Sequence, residues 1–89
     1  MSNIKEIEKT LKALANHRRL AILKYLKNGK EKPVSQIAEE INLSFKSTSK
    51  HMGILFASDI VDREQRGLQM FYRLASNLRT SVKQIISYL

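Results

Sequence analysis

Lys46, Ser49 and Lys50 stand three and four residues apart. On a helix they share one face, where lysine can donate to guanine O6 and N7 and serine can pair with several bases. Phe45 precedes them. An aromatic ring there either touches a thymine methyl or folds back on the turn before it. Ser47 is placed near a phosphate. Further along, Arg63, Gln65, Arg66 and Gln69 gather in a second polar stretch. Arginine suits the narrow, negative minor groove and the phosphates beside it. Lys32 and Arg18 are weaker phosphate candidates. Together this is the chemistry of binding double-stranded DNA. The plainer alternatives are a solvated basic face for the first group and a polar hairpin tip for the second.

Other chemistries lack material. There is no cysteine, which excludes disulfides and thiolate metal sites from this chain. No nucleophile elbow, phosphate loop or metal-ligand spacing occurs, and the glycines Gly29, Gly53 and Gly67 lie too far apart to cradle a phosphate. An enzyme is not expected, nor a cofactor. His51 reads as a structural residue that bonds locally, and His17 as a surface residue at a helix start. Two histidines without clustered carboxylates are a weak metal signal.

The chain of 89 residues is expected to form a single domain over 1–89, with a hydrophobic fraction of 43%. A domain this small gains stability by dimerising. Sixteen basic against eight acidic residues give a net charge of +8, which favours a polyanionic partner through counterion release and steering. No apolar run approaches the roughly 18 residues of a membrane span, and the start MSNIKEIEK lacks a signal-peptide core. A soluble, cytoplasmic and nucleoid-associated protein with no membrane contact is expected.

The elements that must position these residues follow from periodicity. Ser44 caps a helix running to about Ala57, with Thr48, Met52, Leu55 and Phe56 as its inner face. A shorter helix, capped by Ser35 and covering about Gln36 to Ile41, precedes it across the turn Asn42-Leu43-Ser44. Two short helices with such a turn form a helix-turn-helix, the second entering the major groove. Gly53 inside that second helix costs about 1 kcal/mol relative to alanine, and the sequence offers no reason for it. Asp59 or Ser58 must end the helix in a left-handed conformation.

Period two then appears, in residues 60–64 and 69–74 around Gly67, giving a β-hairpin, the wing. Upstream, Asn16 caps a helix over about 17–28, ended by Asn28-Gly29, and residues 30–33 are a connector. The first helix, 3–15, carries Ile4, Ile7, Leu11 and Leu14 as a narrow apolar stripe. The last, capped by Ser76 or Asn77 and ending near Tyr88, carries Leu78, Val82, Ile85 and Leu89. Narrow stripes suit helix–helix seams. The fold class is therefore mainly α with a small β-hairpin, ordered α-α-α-α-β-β-α. A homodimer would form through the first and last helices, with Ile4, Ile7, Leu11, Leu78, Val82, Ile85 and Leu89 at its interface. Packing of the first helix onto its own protomer is the alternative.

Leu14 to Leu23, LANHRRLAIL, resembles the second-helix opening of the ArsR/SmtB family of small bacterial winged-helix repressors. The resemblance continues through Ile37 to Ile41, Leu43-Ser44, Ser49 to Met52, Leu55, Ile60-Val61, Arg63, Arg66-Gly67 and Phe71 to Leu74. It implies a homodimeric transcriptional regulator, usually a repressor, binding an imperfect inverted repeat. Many members release DNA on binding a metal, through cysteines on the third helix or His, Asp and Glu on the last. Here the third helix has no cysteine and residues 77–89 contain no His, Asp or Glu, so both sites are absent. Asp59 stands where the family usually has glycine.

Two other functions remain open: a winged-helix module that binds an acidic protein, and a metal sensor built from His17, His51, Asp62 and Glu64. The inducer, the operator and the regulated genes are not readable from the residues.

Overall fold

The computed structural model describes residues 3–89. Helix α1 spans Ile4–Leu14, and its N-terminal amide at Lys5 bonds to the Asn3 side chain at 2.8 Å. It buries only Ala13 and Leu14. Helix α2, His17–Leu26, is capped as expected by Asn16, whose Oδ1 accepts from the amides of Arg18 and Arg19. Its apolar positions Ile22, Leu23 and Leu26 are fully buried at the centre of the core. The helix stops short of the expected residue 28. Lys27 is already extended, and Asn28 and Gly29 both take the left-handed conformation.

The connector holds a strand the sequence reading did not contain. Lys32–Pro33 forms β1. Two residues carry no period, and proline is tolerated at a sheet edge because it has no N–H to leave unpaired. Helix α3, Val34–Glu40, then starts at once, with Pro33 in the cap position and no side-chain cap. Ser35 is therefore inside the helix and exposed, not its cap. Ile37 and Ala38 turn inward.

Asn42 turns the chain with φ 55°, a left-handed value that asparagine accepts more readily than most residues. Helix α4, Phe45–Ala57, follows. The Ser44 hydroxyl accepts from the amide of Ser47 at 3.1 Å, and the Thr48 hydroxyl donates to the Ser44 carbonyl at 2.8 Å. Thr48, Met52 and Leu55 are buried. Phe56, expected on this inner face, lies outward. One residue after Leu55 is about 100° around the helix, past the edge of the buried stripe. Asp59 ends the helix region with φ 59°.

Strands β2, Val61–Arg66, and β3, Gln69–Leu74, form the expected hairpin, with Gly67 at φ 60° in the turn. β1 adds to the far edge of β3, giving a three-stranded antiparallel sheet in the order β1-β3-β2. Lys32 pairs with Tyr72, and Val61 with Leu74.

Helix α5 covers Thr80–Ser87, with Arg79 at its cap position and no side-chain cap bond. Neither Ser76 nor Asn77 caps it, and Leu78 lies before it. Val82 and Ile86, four residues apart, face the protomer's own core. Val82 is 3% exposed, so its expected place at a subunit seam is corrected: its surface is already used inside one chain.

Replacing Ser44 with alanine removes the cap that starts α4. The expected loss is about 1 kcal/mol of unfolding free energy, read from a urea titration, with native helix content retained by circular dichroism.

Candidate nucleic-acid interface

The buried stripe of α4 determines what its other side offers. With Thr48, Met52 and Leu55 inward, the opposite line of the helix carries Lys46 and Lys50, with Ser47 and Ser49 flanking them, all exposed. Phe45 opens the helix at 60% exposure, so its ring is not folded away into the protein. At this end the Ser44 cap closes the backbone, and Thr48 is the one buried side chain of the first turn. Gly53 falls on the same outward side. A Cβ built there meets nothing within 4 Å, so no close approach inside the protein requires glycine.

The wing meets α4 through the shared core, where Val61 packs with Met52 and Leu55, and through one exposed contact. The Arg63 guanidinium stacks 3.8 Å above the ring centre of Phe56. This explains the outward Phe56: it is the base on which the wing rests, through a cation–π contact. Arg63 is thus positioned at the end of α4, between helix and hairpin.

Arg66 is less free than its place near the wing tip implies. Its Nη2 lies 2.7 Å from Glu31 and 3.1 Å from Glu64, and its guanidinium sits over the Phe71 ring at 4.6 Å. Glu31 also holds Arg73 at 2.9 Å. The hydrogen bond from Arg66 pulls the Glu64 carboxyl below its ordinary range, and Glu64 and Glu31 in turn hold Arg66 well above its own. Two carboxylates and two guanidinium groups largely cancel. Gln65 is engaged as well, donating from Nε2 to the Gly67 carbonyl at 2.9 Å. Gln69 is exposed beside the turn. Glu31 was missed by the sequence reading. Nothing local marks it, because its partners lie far along the chain, Arg66 on β2 and Arg73 on β3.

Arg18 and Arg19 serve the scaffold. Arg18 donates one bond, from Nη1 to the Ile41 carbonyl at 3.3 Å, tying α2 to the end of α3. Arg19 donates to the carbonyls of Lys12 and Ala13 at the end of α1, and its Nη1 lies 3.2 Å from Nδ1 of His51 on α4. A guanidinium only donates, so His51 must accept through an unprotonated Nδ1. His51 bonds as a structural residue, though across the fold and not locally. Burial, then Arg19, Arg18, Lys50 and His17, hold its pKa below the ordinary 6.5.

A second surface lies away from α4. On α1, Ile4 is 84% exposed, and Ile7 and Leu11 also face outward. With Ala15 they line a groove of about 340 Å³. Leu78, Ile85 and Leu89 are half-buried against the core edge. Tyr88 at the end of α5 is strongly exposed and was missed, since it falls outside the four-three-four stripe. Arg79 meets Glu6 at 3.4 Å, joining the start of α5 to α1. Among the described residues, no three His, Cys, Asp or Glu come together to hold a metal ion, so His17, His51, Asp62 and Glu64 do not form one cluster. No helix among the described residues is long and apolar enough to cross a membrane.

Residues 16–63 match the family described as bacterial regulatory protein, arsR family. The chain belongs to the ArsR family. The match runs from the α2 cap through α3 and α4 into the first residues of the wing. Solved structures agree with it over nearly the whole chain. Reduced HlyU from Vibrio cholerae is 33% identical, with a TM-score of 0.80, covering 96% of this chain and 85% of that one. The homodimeric winged helix-turn-helix DNA-binding domain Mb0332 from Mycobacterium bovis, a possible ArsR-family regulator, is 28% identical at TM-score 0.80, covering 96% and 75%. The transcriptional repressor BigR from Xylella fastidiosa is 28% identical at TM-score 0.77, covering 96% and 83%. No curated protein sequence matches. The fold is thus the winged helix-turn-helix of ArsR-family regulators, with β1 completing the wing's sheet.

Two predictions follow from these contacts. A lowered native pKa means the unfolded chain binds the His51 proton more readily. Stability is then fully present above about 6.5 and falls as pH drops through the lower native value. Denaturant titrations between pH 7.5 and pH 5 should show that decline, and His51→Gln should flatten it. Separately, Glu31→Gln should release Arg66 and Arg73. Binding to random duplex DNA should then tighten, and log K should fall more steeply with log salt, measured by anisotropy at several salt concentrations.

Proposed function

We propose that this protein is a homodimeric transcriptional repressor that binds an inverted repeat in double-stranded DNA and carries no family-type metal site. The observation that carries the reading is the division of α4. One face is fully buried, while Lys46, Ser49 and Lys50 are exposed together at its capped N-terminal end. That is the end a recognition helix presents to base edges. Phe45, Lys46, Ser49 and Lys50 meet bases, and Ser47 meets a phosphate. Arg63, Gln65, Arg66 and Gln69 act from the wing beside the major-groove site. Arg66 contributes least of these, since a phosphate must first compete with Glu31 and Glu64 for it.

The net charge of +8 supports a polyanion, and a dimer doubles it. Dimerisation is supported by the exposed Ile4, Ile7 and Leu11 on α1, continuous in purpose with Leu78, Ile85 and Leu89. The homodimeric Mb0332 domain and the repressor BigR lend the oligomeric state and the direction of regulation. The lack of cysteine in α3, and of His, Asp and Glu in residues 77–89, sets this chain apart from metal-responsive patterns. It is read as one domain over 1–89, working in the cytoplasm at the nucleoid. An enzymatic role has no supporting constellation.

Selection of bound sites from random duplex DNA tests this directly. The expected product is an inverted repeat with half-site centres about 34 Å apart, one helical turn. Lys50→Ala should then cost roughly 1–3 kcal/mol at the selected site and relax preference at one base pair per half-site. Equal affinity for selected and random duplexes would sink the proposal.

A further inference from the structure

The exposed large apolar side chains of the described residues mostly have an assignment. Ile4, Ile7 and Leu11 line the groove on α1, and Phe56 lies beneath Arg63. Phe45 opens the recognition helix. Leu68 has none. It is 102% exposed, as free as a side chain can be, and follows Gly67 in the turn between β2 and β3. A single exposed leucine is ordinary on a protein surface. Its position is what matters here.

The wing's polar residues near the tip are largely occupied. Arg66 is held by Glu31 and Glu64, and Gln65 closes the turn on the Gly67 carbonyl. From Arg63, which stacks on Phe56 of α4, the hairpin runs four residues further to Gly67, roughly 13 Å at strand rise. That is enough to pass one phosphate backbone from the end of a major-groove helix. The side chain delivered at the far end is apolar, on a rod whose nearest guanidinium is already neutralised.

We propose that Leu68 is a minor-groove contact that lays an apolar side chain against the sugars and base edges flanking each half-site, at a deformable pyrimidine–purine step. Leucine is among the side chains that wedge between base steps from the minor groove, and TA and CA/TG steps yield most easily. The wing then selects DNA by shape and deformability, while α4 reads base edges. This inference rests on the DNA-binding reading above.

The test uses the full chain and its selected site, with 2-aminopurine replacing each adenine in the steps that flank the half-sites. Wild-type binding should raise fluorescence at one flanking step on each side, reporting unstacking. Leu68→Ala should abolish that rise and weaken binding about three- to tenfold, the scale of one apolar side chain leaving its contact. The slope of log K against log salt should stay unchanged, because no charge moves. Since Leu68 touches nothing in the protein, the variant keeps the native circular dichroism spectrum and melting temperature. Wild-type affinity in Leu68→Ala, or a silent probe at every flanking step, overturns the assignment while leaving DNA binding intact. Failure of the wild type to prefer any selected site would instead remove the underlying reading.

Discussion

One guanidinium joins the two surfaces of this protein. Arg19 donates to the last carbonyls of α1 and reaches His51 on α4. The end of α1 would otherwise leave carbonyls unpaired. α1 itself contributes only Ala13 and Leu14 to the core, so its direction depends on how its C-terminal end is held. Arg19 fixes that end against the same helix that exposes Lys46 and Lys50. Arg19 therefore adds a directional contact to the packing of Ala13 and Leu14 that sets the angle between the apolar groove and the reading face.

The distribution of charge has a similar logic. Sixteen basic residues would repel one another in so small a chain. The structure divides them by role. Arg18 and Arg19 satisfy carbonyls inside the fold, and Arg66 and Arg73 share Glu31 at the sheet edge. Lys46 and Lys50 are left in solvent with no carboxylate partner among the described ion pairs. Lysine is a strongly hydrated point charge and is tolerated unpaired at a surface, whereas arginine's planar fork suits the paired positions.

Much of the fold was legible in the sequence because the signals were local. The caps at Asn16 and Ser44, the left-handed Asp59 and the hairpin around Gly67 each rest on side chains acting on their own backbone. The misses share the opposite character. β1 is two residues long and exists only because β3 offers it an edge. α5 starts at Thr80 without a cap bond, so nothing in Ser76 or Asn77 could mark it. Val82 fits a four-three-four stripe, but a stripe has no label for which partner covers it, and here the partner is the protomer's own core. In the candidate site, spacing placed Lys46, Ser49 and Lys50 on one face. The neutralisation of Arg66 was hidden, because Glu31 approaches it through space.

The pairing of Lys32 with Tyr72 has a consequence for how the domain assembles. Between those two residues lie α3, the turn, α4 and the first strand of the wing. The entire reading unit is thus a loop closed by one short strand contact and by Glu31 bridging to Arg66 and Arg73. Closing a long loop costs entropy before any of its contacts stabilise it, and non-local pairings of this kind slow folding. The two helices of the motif can form early from their own caps and core. Their final orientation waits for the chain to return as β3, so the last part of the wing to be made completes the frame that aims the helix before it.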